Sequence, residues 1–97
     1  MLLAAAIRAA IGEHPVLTAP KSVMGHLLGA AGAVESIAAM LSVREGIIPP
    51  TLNLEHVDDG VQLDVAAGEA RKVELSAAVN DAFGFGGHNV ALVFVTA

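Results

Sequence analysis

His26 stands near the head of a glycine-studded stretch, KSVMGHLLGAAG, with Lys21 five residues before it. An imidazole at a helix N-terminus holds its second proton weakly, which favours a neutral ring able to donate a hydrogen bond to a carbonyl. Lys21, reaching back across a turn, would steady that ring's electrostatics and orientation. The plainer role for a lone histidine is a hydrogen-bonded structural residue. A second candidate is Phe83-Gly84-Phe85-Gly86-Gly87-His88. Glycines that take φ > 0 can aim backbone N–H groups at one point and so build an oxyanion hole. They equally permit a tight turn between two antiparallel strands. A phosphate-binding loop would need a helix after the glycines, and a strand-like segment follows instead.

Other chemistries find little support. The four histidines, at 14, 26, 56 and 88, have neither HxxxH nor HExxH spacing and no grouped carboxylates beside them, so no metal site is expected. Asp58-Asp59-Gly60 reads as turn chemistry rather than a pair of catalytic acids. No serine sits in a GxSxG elbow. With no cysteine, disulfides and thiolate metal sites are excluded.

The elements that must position these residues follow from the hydrophobic pattern. Leu3, Ile7 and Ala10 recur at helical spacing, predicting a helix over 2–11 that Gly12 and Pro15 stop. Pro15 to Ala19 suits a short buried strand ended by Pro20. A helix is then expected through the glycine-rich stretch to about Arg44. Its glycines at 25, 29 and 32 would form one smooth stripe, Val34, Ile37, Ala38 and Leu41 would form its core face, and Gly46 would cap it. Ile47 to Thr51 must be extended, because residues before proline avoid the helical region. Val61 to Val65 alternates as an edge strand does, and Glu69 to Glu74 reads as a solvated connector. Strands over Leu75 to Ala82 and Asn89 to Val95 close the chain. The last is apolar on both faces, as a central strand covered on two sides would be.

Composition sets the context. The 97 residues are 55% hydrophobic and include 19 Ala, but only three aromatics, Phe83, Phe85 and Phe94. A domain of this size buries only about 60–65% of its surface, so the chain carries more apolar residues than its own core would hide. Its charge of −5, from 5 basic and 10 acidic residues, argues against nucleic acid or an anionic membrane as partner. Glu35 lies in the middle of the longest apolar stretch, and Arg8 interrupts the apolar N-terminus, so neither a bilayer span nor a signal peptide is expected. The pattern predicts one soluble, cytoplasmic unit that is not self-sufficient.

Three segments resemble the β-ketoacyl-[acyl-carrier-protein] synthases, in order and over essentially the whole chain. They are Lys21 to Glu35 (KSVMGHLLGAAGAVE), Ile48 to Asn53 (IPPTLN) and Phe83 to Asn89 (FGFGGHN). The likeness is to the C-terminal segment of elongating, type II fatty-acid enzymes. The Thr-Gln-Ala-Ala-Ala-Gly run of modular polyketide synthases and the C-terminal cysteine loop of thiolases are both missing.

The resemblance implies an α/β fold, the C-terminal part of a thiolase-like αβαβα sandwich with a mixed sheet and a buried glycine-rich helix. Residues 1–97 would form that segment and need an upstream half. The implied reaction is a decarboxylating Claisen condensation between a cysteine-bound acyl chain and malonyl-acyl-carrier protein, with no cofactor. His26 would hydrogen-bond the malonyl thioester carbonyl, and Lys21 would support that histidine. Phe85 would be the gate phenylalanine whose N–H joins the oxyanion hole. Phe83, Gly84 and Gly86 would share its loop, and Glu35 would be a buried carboxylate organising the site. Implied partners are acyl-carrier protein, malonyl-acyl-carrier protein, the upstream half and, when complete, a second copy in a homodimer.

The sequence departs from the family pattern at three points. There is no nucleophilic cysteine, so the chain alone is expected to be inactive. Pro20 stands where threonine is commoner, and Asp81-Ala82 replaces Asn-Ser before the gate loop. The alternatives are a stand-alone non-catalytic chain or partner subunit, which Met1 just before a helix would suit, and a polyketide-type ketosynthase segment.

Overall fold

The structure is a computed structural model describing residues 2–97. Helix α1 (Leu2–Ala10) forms from the Leu/Ala/Arg run, and Gly12 takes a φ of 102° just beyond its end. Arg8 pairs with Glu13 across that end. Strand β1 (Val16–Leu17) lies parallel to β3 (Asp64–Val65), so the strand expected over 61–65 contracts to its last two residues. The ladder continues past β3, where Ala66, fully buried, donates its N–H to Leu17 O at 2.8 Å.

Strand β2 (Ile47–Ile48) pairs antiparallel with β4 (Arg71–Lys72). The expected connector over 69–74 therefore contributes a strand. Its Arg71 forks onto Asp64 at 2.6 and 2.8 Å and reaches Val65 O at 3.0 Å, tying β4 to β3. The Arg71 hydrogen bond holds the Asp64 carboxyl below the usual aspartate range.

Helix α3 (Ala31–Glu45) ends as expected at Gly46, whose φ of 66° is left-handed and whose N–H donates to Ser42 O at 2.9 Å. Strands β5 (Ala77–Gly84) and β6 (His88–Val95) form an eight-residue antiparallel hairpin against which α3 packs.

Several expectations are corrected. The helix expected through the glycine-rich stretch to about Arg44 begins only at Ala31, as α3; before it stand α2 (Lys21–Met24) and a 3-10 turn over Leu28–Ala30. Gly25, at φ 76° and ψ 176°, breaks the path, a conformation that glycine alone adopts cheaply. No glycine stripe forms, and a Cβ placed at Gly25, Gly29 or Gly32 would meet open space. The buried positions of α3 are Ala31, Glu35 and Val43, while Ile37 and Leu41 are exposed. Within this chain the strands pair as three two-stranded ladders, one parallel and two antiparallel. Strand β6 is not covered on two sides: Val90, Leu92, Val93 and Val95 are exposed and Phe94 is half-buried. No helix among the described residues is long and apolar enough to cross a membrane.

Candidate active site

The segment carrying Lys21 and His26 is held from below by three hydroxyls. Thr18 Oγ1 donates to Pro49 O at 2.6 Å, and Thr51 Oγ1 accepts the Ala19 N–H at 3.1 Å. Ser22 Oγ donates to Ala19 O at 2.7 Å and accepts the Leu52 N–H at 2.9 Å. The two prolines keep 47–51 extended, which leaves its carbonyls and hydroxyls free for these bonds. The partners lie some thirty residues apart, so no local pattern announces the clamp.

Among the described residues, Lys21 forms no hydrogen bond with His26. Its Nζ donates to Glu35 Oε1 at 2.5 Å, joining α2 to the second turn of α3. Glu35 is buried, at 6% exposure, and a carboxylate taken out of water is stabilised by a paired cation. The ion pair ties the segment before His26 to the helix after it.

His26 lies between those helices, exposed, five residues before α3 begins. Its Nδ1 accepts the Leu28 N–H at 3.0 Å. A ring nitrogen that accepts cannot carry the hydrogen, so the neutral ring keeps its N–H on Nε2, pointing away from the backbone. Leu28 adopts φ 52° in donating to Nδ1. Left-handed backbone costs a non-glycine residue about 1–2 kcal/mol, and such strain gathers at functional sites. Leu28 is also 78% exposed, and sequence reasoning did not single it out.

The ladder of the hairpin runs up to the pair Gly84↔His88, leaving Phe85-Gly86-Gly87 as the tip. Gly86 and Gly87 have φ of 84° and 81°, which only glycine takes without strain. Phe85 is fully exposed, and Phe83 is exposed at the end of β5. Among the described residues, the backbone N–H groups of Phe85, Gly86 and Gly87 form no hydrogen bond within the chain. They are free donors.

Helix α3 runs antiparallel to β5. Asn80 meets Gly32 and Ser36 in its first turns, whereas Met40, Val43 and Arg44 share a groove with Phe94 and Val95, which pair with Ala78 and Ala77. The hairpin tip and the His26 loop therefore lie towards the same end of α3. No hydrogen bond or ion pair joins them among the described residues. Nor do those residues hold a cluster of three metal-ligating side chains.

Residues 3–55 match the family described as "Beta-ketoacyl synthase, C-terminal domain". The chain belongs to the β-ketoacyl synthase family. A 3-oxoacyl-[acyl-carrier-protein] synthase 2 from Mycobacterium tuberculosis is 54% identical over 83 residues, covering 86% of this chain and 20% of that protein. Among solved structures, the ishigamide ketosynthase/chain length factor superposes with a TM-score of 0.91 at 36% identity, over 97% of this chain and 24% of its own. A type II polyketide ketosynthase, solved in complex with its acyl-carrier protein, gives a TM-score of 0.87 at 27% identity, over 98% and 24%. The mixed α/β fold is thus that of the C-terminal part of a ketosynthase. This β-ketoacyl synthase segment spans about a fifth of the length of the curated relatives that it matches.

Proposed function

We propose that these residues serve as the C-terminal segment of a 3-oxoacyl-[acyl-carrier-protein] synthase, supplying its decarboxylation donor and its gate loop. The observation that carries the reading is His26 Nδ1 accepting the Leu28 N–H, which leaves Nε2–H to donate to a thioester carbonyl.

In this reading malonyl-acyl-carrier protein places its thioester carbonyl oxygen at Nε2–H. The carboxylate leaves as CO2, and the electron pair of the broken C–C bond enters the enolate whose oxygen His26 holds. The enolate carbon attacks the acyl carbonyl carbon on a cysteine contributed from outside these residues, and the tetrahedral oxyanion gathers at the free N–H of Phe85. Collapse expels the cysteine thiolate and leaves the 3-oxoacyl product on the carrier protein. Each preorganised donor of this kind contributes about 3–4 kcal/mol to the barrier reduction. Phe83, Gly84 and Gly86 give the tip its shape, and the Lys21–Glu35 pair holds the two helices flanking His26. Carrier protein is the natural partner in this reading, since the polyketide ketosynthase of the same fold is found bound to one. The 54% identity to a 3-oxoacyl-[acyl-carrier-protein] synthase, against 36% and 27% to the two ketosynthase structures, favours the fatty-acid substrate class.

The test is a hybrid in which this chain replaces the matched segment of the Mycobacterium tuberculosis relative. Condensation of acyl-carrier substrates with malonyl-acyl-carrier protein should persist. A hybrid that folds and acylates its cysteine yet neither decarboxylates malonyl thioester nor condenses would refute the reading.

A further inference from the structure

Asn80 holds a place in the fold that the proposed chemistry leaves unexplained. Among the described residues, it carries every hydrogen bond between the β5–β6 hairpin and the rest of the chain. Its Nδ2 donates to Ser36 Oγ at 3.0 Å and, at a longer 3.4 Å, to Gly32 O. Ser36 Oγ in turn donates to Gly32 O at 2.7 Å, so the three groups close a small network on the first turns of α3.

Among the described residues, no other hydrogen bond joins the hairpin to α3. The half-buried face of β5 is Ala78, Asn80 and Ala82, two small side chains flanking one polar one. Alanine on the strand offers no large knob to set register, and apolar contact is non-directional. A sheet face of this kind can slide along the helix with little change in buried area. A hydrogen bond cannot slide, because its strength falls steeply with distance and angle.

Asn80 is three residues before Phe83 on β5, and Gly32 lies six residues after His26. The network therefore lies on the first turns of α3, towards the end of that helix shared by the His26 loop and the hairpin tip.

We propose that Asn80 is a positioning residue, which pins the register of the hairpin on α3 and so holds the Phe85 N–H in place relative to His26 Nε2. The proposal rests on the functional reading above for its catalytic half only. The pin itself is a property of the chain.

The three phenylalanines make it measurable. Labelling the full chain with fluorophenylalanine gives a fluorine spectrum of three lines, from Phe83, Phe85 and Phe94, all in the hairpin. In Asn80→Ala the folded-state Phe94 line, whose ring is half-buried in the groove by Val43, should shift or split as alternative registers become populated. Ser36→Ala should do the same, and the double variant should look like either single one. A mere loss of stability would change the folded fraction without moving the folded lines. Unmoved lines in both single variants overturn the pin.

In the hybrid synthase, either substitution should lower kcat for condensation by roughly 10- to 100-fold, as a misplaced donor does, with cysteine acylation unchanged. Lines that move while kcat holds would overturn the positioning role. An inactive hybrid with Asn80 intact would instead sink the functional reading, leaving the fluorine result to decide the pin.

Discussion

Removing the Lys21 cation tests how the two helices around His26 are held. Lys21→Met keeps the length of the side chain and leaves Glu35 buried without its partner. Breaking a fully buried ion pair costs about 3–5 kcal/mol, and breaking a fully exposed one about 0–1 kcal/mol. Here the Glu35 side chain is 7% exposed and that of Lys21 47%, so one end of the pair is dry and the other wet. An intermediate loss of about 2 kcal/mol is expected, about a 30-fold fall in the ratio of folded to unfolded chain. Urea unfolding of the 97-residue chain would read it as a lower midpoint with unchanged slope. Lys21→Met combined with Glu35→Leu should recover at least about 1 kcal/mol, because the stranded carboxylate is gone. A loss under about 0.5 kcal/mol, or strictly additive single variants, would show that the 2.5 Å pair does not carry the charge of Glu35.

In the hybrid synthase, His26→Ala should lower malonyl decarboxylation by about 10²- to 10³-fold while the cysteine is still acylated, and acylation lost with decarboxylation intact would contradict the role of His26. The 97-residue chain by itself should show no condensation in a radiolabelled malonyl assay, since it has no cysteine to acylate; turnover above background would overturn the assignment. Gly46→Ala should destabilise the chain by at least about 1 kcal/mol, because its Cβ would come within 3.0 Å of Val73 O at a φ of 66°; an unchanged thermal midpoint would show that the backbone around Val73 yields instead. Arg71 depresses the Asp64 pKa, so this pair stabilises the fold above the ordinary aspartate value of 3.8, and the contribution disappears as pH falls through the lower folded value. Asp64→Asn should flatten that part of the stability–pH curve between about pH 6 and pH 2, and an identical curve would show that the pair contributes nothing.

The residue types and spacings alone pointed to His26, Lys21 and the FGFGG loop as candidates, and the family resemblance added Glu35. They also contained the Gly46 cap and the closing hairpin. These are local matters, set by glycine at left-handed φ, by proline next to extended backbone and by two-residue alternation in β5. Only the tertiary structure decided which partner each of these residues takes. Lys21 is paired with the buried Glu35, fourteen residues on. Gly25 broke the expected helix, and the Leu28 N–H became the partner of His26 Nδ1. Asn80 and the hydroxyls of Thr18, Ser22 and Thr51 were silent, since their partners lie 30 to 48 residues away. The apolar excess of the sequence likewise acquired a location: it lies on the open faces of β5, β6 and α3, where Val79, Val93, Val95 and Ile37 remain exposed. Periodicity reports that a residue is apolar. Which surface covers it is settled by packing between elements distant in the chain.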